Sequence, residues 1–196
     1  MPAHAQLRCR PPAGPAGHTL VEALVVVTLL SLIVAIAVPS LRPADPIKLE
    51  LAGERIAEAL RTARDLAAGT GEIHAVEVYD DSGRIVVSRP DMALATPFQD
   101  GVPTDEDWIV RHPVTKQIYD FEVGTGETTR GVQIAGPPFE YAVGARRAVM
   151  FDAHGVPLLK EGDNFYLLDD GHAELRLAGQ RLDVRLSATV GRVTIE

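Results

Sequence analysis

Hydrophobic residues fall along this chain in three successive patterns: one unbroken run, one helical stripe, and then short runs separated by turns. Residues 20 to 38 read LVEALVVVTLLSLIVAIAV, interrupted only by Glu22, Thr28 and Ser31. As a helix this segment spans roughly 28 Å, enough to cross the hydrocarbon core of a bilayer. Pro39, Pro43 and Pro46 crowd its end. Each removes a backbone donor and disfavours helical geometry in the residue before it, so a kink or short break is expected from Pro39 onward. From Ile47 to Ala68 the chain returns to helical period, with Leu49, Ala52, Ile56, Ala59, Leu60, Ala63 and Ala67 on one stripe and Glu50, Glu54, Glu58, Arg61 and Arg64 largely off it. An amphipathic helix of this kind lays its apolar stripe on a sheet, and Gly69 and Gly71 supply its stop.

After Gly71 the apolar runs become short and strand-like: Ile73 to Tyr79, Ile85 to Ser88, Trp108 to Val110, Gln117 to Val123, Val132 to Ile134, Ala148 to Asp152, Phe165 to Leu168, Ala173 to Leu177, Leu182 to Ser187 and Val193 to Ile195. Turn residues punctuate them at Asp80-Asp81-Ser82-Gly83, His154-Gly155, Asp169-Asp170-Gly171 and Ala178-Gly179. The stretch from Ser88 to Asp107 carries Pro90, Pro97, Pro103 and five acids, and reads as a surface loop. A long N-terminal helix, half spanning and half amphipathic, packed on an antiparallel β-sheet head is an α+β fold.

Charge orients this arrangement. The first seventeen residues hold Arg8 and Arg10 and no acid, so the remainder carries 17 basic against 27 acidic side chains. Arginines ahead of the apolar run place the short N-terminal end in the cytoplasm and the head outside it. An acidic head without a clustered basic face has no electrostatic footprint for a phosphate backbone, which argues against nucleic acid as a partner. Cys9 is the only cysteine, so neither an intrachain disulfide nor a cysteine metal cluster can form.

A cleaved secretory signal is the simplest alternative, and Ala35-Ile36-Ala37 supplies an A-x-A pattern for it. That reading leaves Glu22 unexplained, because an acid near the start of an apolar run is costly in hydrocarbon and has no role in a discarded segment. Gly17-His18-Thr19-Leu20-Val21-Glu22, followed by the apolar run and Pro39, resembles the class III signal of type IV pilins and type II secretion pseudopilins. The resemblance implies a prepilin peptidase that cuts between Gly17 and His18 on the cytoplasmic side, methylates the new amino group of His18, and leaves the apolar segment in place. His18 stands where the family usually has Phe. Glu22 then corresponds to the carboxylate used in processing and fibre assembly. Residues 148 to 158, AVMFDAHGVPL, and 186 to 196, LSATVGRVTIE, are similar to the two closing motifs of the minor pseudopilin H and FimT-like group. The middle, from about Ile73 to Pro138, carries no such motif.

Little else in the sequence carries chemistry. His4, His18, His74, His112, His154 and His172 show no H-x-x-x-H spacing, and the H-x-E at His172-Ala173-Glu174 has no cysteine pair to complete a metal site. No G-x-S-x-G marks Ser31, Ser40, Ser82, Ser88 or Ser187 as a nucleophile, and Gly124-Thr125-Gly126 and Gly136 read as turns, so no enzyme and no cofactor is expected. Asp100, Asp105, Glu106 and Asp107 could offer oxygen ligands to calcium but lack the EF-hand spacing, which favours a solvated loop and no metal. Arg146, Arg147, Arg181, Arg185 and Arg192 are the basic features late in the chain; DNA-uptake minor pilins of the FimT-like kind carry a basic tail, whereas this sequence closes on Thr194-Ile195-Glu196.

The expected organisation is a leader over 1–17, a transmembrane helix over 18–38, a kink and amphipathic helix over 39–68, and a β head over 69–196 that packs on helix 47–68. By resemblance the chain is a structural subunit of a type II secretion pseudopilus, single-pass in the bacterial inner membrane with a periplasmic head. Its partners are prepilin peptidase, inner-membrane lipid and the other pilin-like subunits of its fibre. A minor type IV pilin acting in pilus assembly or DNA uptake is the alternative.

Overall fold

The computed structural model describes residues 20–40, 45–94 and 108–196, with side chains described in the first helix only for 20–33. The chain separates into two units that meet at Pro43 and Ala44, and each is taken by itself.

The first contains α1, Leu20–Ser40. Its side chains from Leu20 to Ile33 are exposed on every side of the helix, with Leu20 at 84%. Thr28 and Ser31 donate their hydroxyls to the carbonyls of Leu24 and Val27, each at 2.8 Å, so both polar interruptions are satisfied within the helix. Among the described residues no helix is long and apolar enough to cross a membrane, the described side chains of α1 ending at Ile33. The backbone stays helical through Pro39 to Ser40; the Pro39 side chain and residues 41–44, where the kink is expected, lie outside those described.

The second unit is α+β. Helix α2, Asp45–Thr70, packs on an antiparallel sheet of eleven strands. These are β1 (His74–Tyr79), β2 (Arg84–Ser88), β3 (Asp120–Glu122), β4 (Gln133–Ile134), β5 (Phe139–Tyr141), β6 (Gly144–Arg146), β7 (Ala148–Phe151), β8 (Pro157–Glu161), β9 (Asn164–Leu177), β10 (Gln180–Leu186) and β11 (Val193–Ile195). The main path runs β11-β10-β9-β8-β7-β1-β2-β3, with β4 and β5 added along β9 and β6 paired to β5. The helix stripe is the one the periodicity indicates: Leu49, Ala52, Ile56, Ala59, Leu60, Ala63 and Ala67 are buried in one core with Val76, Val78, Val149, Phe151, Leu175 and Val184 of the sheet. Small residues dominate because the helix lies close. A Cβ on Gly53 would sit 2.6 Å from Leu182 Cδ2 and 3.5 Å from Val184 Cγ2.

Several expected boundaries move. Gly69 lies inside α2, and Gly71 alone ends it: at a φ of +75° it adopts the left-handed form a helix stop favours, its N–H donating to Ala67 O at 2.9 Å. Phe165–Leu168 and Ala173–Leu177 are not two strands around a turn but parts of β9, with Asp169-Asp170-Gly171 inside it. This strand is the corner of the sheet, because Asn164–Leu167 pair with β8 and Gly171–Leu177 pair with β10. The register against β5 shifts between Glu140 and Tyr141, and Gly171 has the room it needs only without a Cβ, which would lie 2.7 Å from Leu186 Cβ. Trp108–Val110 contributes only the bridge from Ile109 to Ser88, and of Gln117–Val123 only Asp120–Glu122 is a strand. Strands β5, β6 and β8 lie in stretches where no strand is expected from the apolar pattern.

Candidate functional site

Of the residues that the sequence marks most strongly, only Glu22 lies among the described residues. Gly17 and His18, with the whole 1–17 leader, Cys9 and His4, lie outside the described residues, as do Asp100, Asp105, Glu106 and Asp107. Glu22 is described: it sits in the first turn of α1, where a negative charge is favoured by the helix dipole, and it is the one ionisable residue between Leu20 and Ser40. A carboxylate at the head of a helix that is apolar and exposed on all sides is the outstanding feature of the first unit.

In the second unit the two sequence motifs at the end of the chain meet at one place. The turn between β7 and β8 and the turn between β10 and β11 bring Gly155 and Gly191 into contact: a Cβ on Gly191 would lie 2.5 Å from Gly155 O. Arg64 of α2 closes the group by donating from Nη1 to Gly191 O at 3.1 Å while its stem covers Gly155. It also pairs with Asp65 at 2.9 Å. Sequence patterning places Arg64 on the solvent side of the helix and offers no signal for this contact, whose partners are far apart in the chain. The cluster contains no nucleophile or general base. It joins helix to sheet.

The four described histidines are dispersed, each near a local partner. His74 is buried and its Nδ1 lies 3.0 Å from Glu72 O. His112 stacks on Tyr119 with ring centroids 4.9 Å apart, and its Nε2 lies 3.3 Å from Glu58 Oε1. Nδ1 of the same ring accepts from the backbone N–H of Val114 and Thr115, which leaves Nε2 to donate. His172 Nε2 is 3.0 Å from Asp183 Oδ1, and His154 is exposed beside Asp152. Among the described residues no group of His, Cys, Asp and Glu is arranged to hold a metal ion.

Three of the five arginines singled out late in the chain pair with acids. Arg146 pairs with Glu161 at 3.1 Å, Arg147 with Asp80 at 2.9 Å and Arg185 with Glu196 at 3.1 Å. An open groove of about 290 Å³ runs beside His112, Tyr119 and Phe121, with Arg55 and Glu58 of α2 on its rim. Its charges are of both signs, and Asp120 there is held by Arg84 through two hydrogen bonds of 2.8 and 2.5 Å.

One buried acid was not marked by the sequence. Glu77 of β1 is 4% exposed, and the hydroxyl of Tyr79 donates to its Oε2 at 2.6 Å. Burial pushes its carboxyl up from the usual 4.5 to about 7, with hydrogen bonds from Tyr79 and Ser88 opposing the rise. Burial and the neighbouring carboxylate push the Tyr79 hydroxyl upward as well.

No family model and no curated protein matches the chain. Among solved structures it is similar to the type IV minor pilin FimU of Pseudomonas aeruginosa, at 12% identity and a TM-score of 0.47 over 77% of this chain and 90% of that one. It is similar also to the minor pseudopilin EpsH from the type 2 secretion system of Vibrio cholerae, at 12% identity and a TM-score of 0.46 over 76% of this chain and 96% of that one. A second crystal form of FimU gives 14% identity and a TM-score of 0.42 over 76% and 92%.

Proposed function

We propose that this chain is a structural, non-enzymatic subunit of a pilin-like fibre, a minor pseudopilin of a type II secretion system. It is made as a precursor, cut between Gly17 and His18, and held in the inner membrane by residues 18–38 with its head in the periplasm. The observation that carries the reading is Glu22, the one acid in the first turn of a helix whose described side chains are exposed and mostly apolar, standing five residues after Gly17. After cleavage the chain starts with the cationic amine of His18, and Glu22 lies about one helical turn deeper. Both charges are costly in hydrocarbon. In the fibre Glu22 of an incoming subunit meets the terminal amine of a neighbour, and this pair fixes the axial register between helices whose other contacts are non-directional. Pairing of Arg146, Arg147 and Arg185 with acids, on a head that is acidic overall, supports export over DNA uptake as the setting.

The test is incorporation. Glu22→Leu makes the segment more apolar, so insertion is retained and processed protein accumulates at the parental level, while crosslinking to the other pilin-like subunits falls by about tenfold or more, one buried charge pair at its usual order of magnitude. Glu22→Asp, one methylene short, gives an intermediate yield. Parental crosslinking by processed Glu22→Leu protein would remove the register role.

A further inference from the structure

Around β1, β2 and β7 the outer face of the sheet, away from the helix, is buried as well as the inner one. Two apolar clusters lie there: Ala75, Met150 and Leu158 with Met92, and Tyr79, Val86 and Ile109 with Ile118. Glu77 stands between them on β1, directly opposite Val86 on β2 and Ala148 on β7. The stretch from Trp108 to Val110 pairs edge-on with the end of β2, and Ile109 packs there with Tyr79 and Val86, which flank Glu77. Arg89 donates its N–H to Trp108 O at 2.8 Å, Val110 donates to Val87 O at 2.9 Å, and Ile109 bridges to Ser88.

The groups around the carboxyl are few and mostly committed elsewhere. On its own strand is the Tyr79 hydroxyl, and on β2 are Ser88 and Arg84, the latter held by Asp120 of β3. Arg147, next to Ala148, is engaged by Asp80. Arg89, at the rim, pairs with Glu72 at 3.0 Å, and Lys160 of β8 donates to the carbonyls of Met92 and Leu94. Trp108-Ile109-Val110 brings no charge of its own. A carboxylate here is a buried anion that has hydrogen bonds from Tyr79 and Ser88 but no ion-pair partner among the described residues, and protonation removes the buried charge.

We infer that Glu77 is a proton-operated latch: as the neutral acid it lets residues 108–110 close against the end of β2, with Ile109 packed on Tyr79 and Val86, and its ionisation loosens that closure. The direction follows from linkage. A carboxyl raised from 4.5 to about 7 by burial binds its proton more tightly when the cover is closed, so the closed form is fully favoured below the lower value and loses ground as pH rises through the upper one. A compartment near neutrality holds the latch at its turning point.

Hydrogen exchange on the full chain in detergent, corrected for the intrinsic pH dependence of exchange, reads the latch directly at the amides of Arg89 and Val110. Between about pH 5 and about pH 8 their protection is expected to fall at least tenfold, as one pKa unit of linkage already requires. In Glu77→Gln, neutral at every pH, protection stays high and flat. Tyr79→Phe removes a donor that favours the anion, so the decline continues to higher pH than in the parent. Protection that is flat in the parent, or a fall equal in Glu77→Gln and the parent, overturns the proposal. Should Glu77→Gln fail to fold, a Tyr79→Phe profile identical to the parental one does the same.

Discussion

Helices α1 and α2 are neighbours in sequence and opposite in design. Every described side chain of α1 is exposed and nearly all are apolar, whereas α2 hides one apolar stripe and shows charge elsewhere. In α1 the polar atoms of Thr28 and Ser31 are closed onto the helix backbone; in α2 Arg61 reaches Glu54 at 3.5 Å and Arg64 reaches across to Gly191. The difference lies in where each helix obtains its stability. The second obtains it from the sheet of its own chain, and the first has no comparable surface among its described side chains and depends on its surroundings.

The contrast is sharpest in truncations of matched size. Ile56→Ala empties part of the core between α2 and the sheet, and a loss of about 3 kcal/mol in unfolding free energy is expected by thermal or denaturant melting of the full chain in detergent. Leu29→Ala, at a position 54% exposed, is expected to change the same melt by less than about 0.5 kcal/mol. Equal losses would mean that α1 belongs to the cooperative core, and the comparison would fail.

A smaller effect probes how closely α2 lies on the sheet. At Gly53 an added Cβ meets the far end of the Leu182 side chain, which can shift. Ala also gains roughly 1 kcal/mol of helix propensity over Gly, so Gly53→Ala should fall within about 1 kcal/mol of the parent. Gly53→Leu, with no space for its branch, should cost about 2 kcal/mol in the same melt. A neutral Gly53→Leu would show that the helix can lift from β10.

The sequence discloses the elements whose cause is local. The stripe of α2 follows from period alone, and the turns at Gly83, His154-Gly155 and Ala178-Gly179 follow from residues that tolerate positive φ. What is hidden has a distant cause. Asp169-Asp170-Gly171 has turn composition, yet three partner strands, β5, β8 and β10, hold β9 extended around it. Arg64 is placed correctly off the stripe, but its carbonyl partner arrives from the far end of the chain. Glu77 occupies the outward position of an alternating strand, the place for a solvated acid, yet it is 4% exposed because its own neighbours, Tyr79 and Val86 among them, form an apolar cluster with Ile109 on that face. The strongest functional residues in the sequence, Gly17 and His18, lie outside the described residues, so the reading there rests on motif chemistry.

The central claim, that the apolar segment is retained behind a pilin-type cut, is tested most directly by intact-mass and peptide mass spectrometry of the mature chain. The account predicts an N-terminus at His18 carrying one methyl group, and an uncut precursor for Gly17→Arg, because the peptidase subsite takes only a very small side chain there. A mature chain that begins at Val38, cut after Ala37 by signal peptidase, would contradict it.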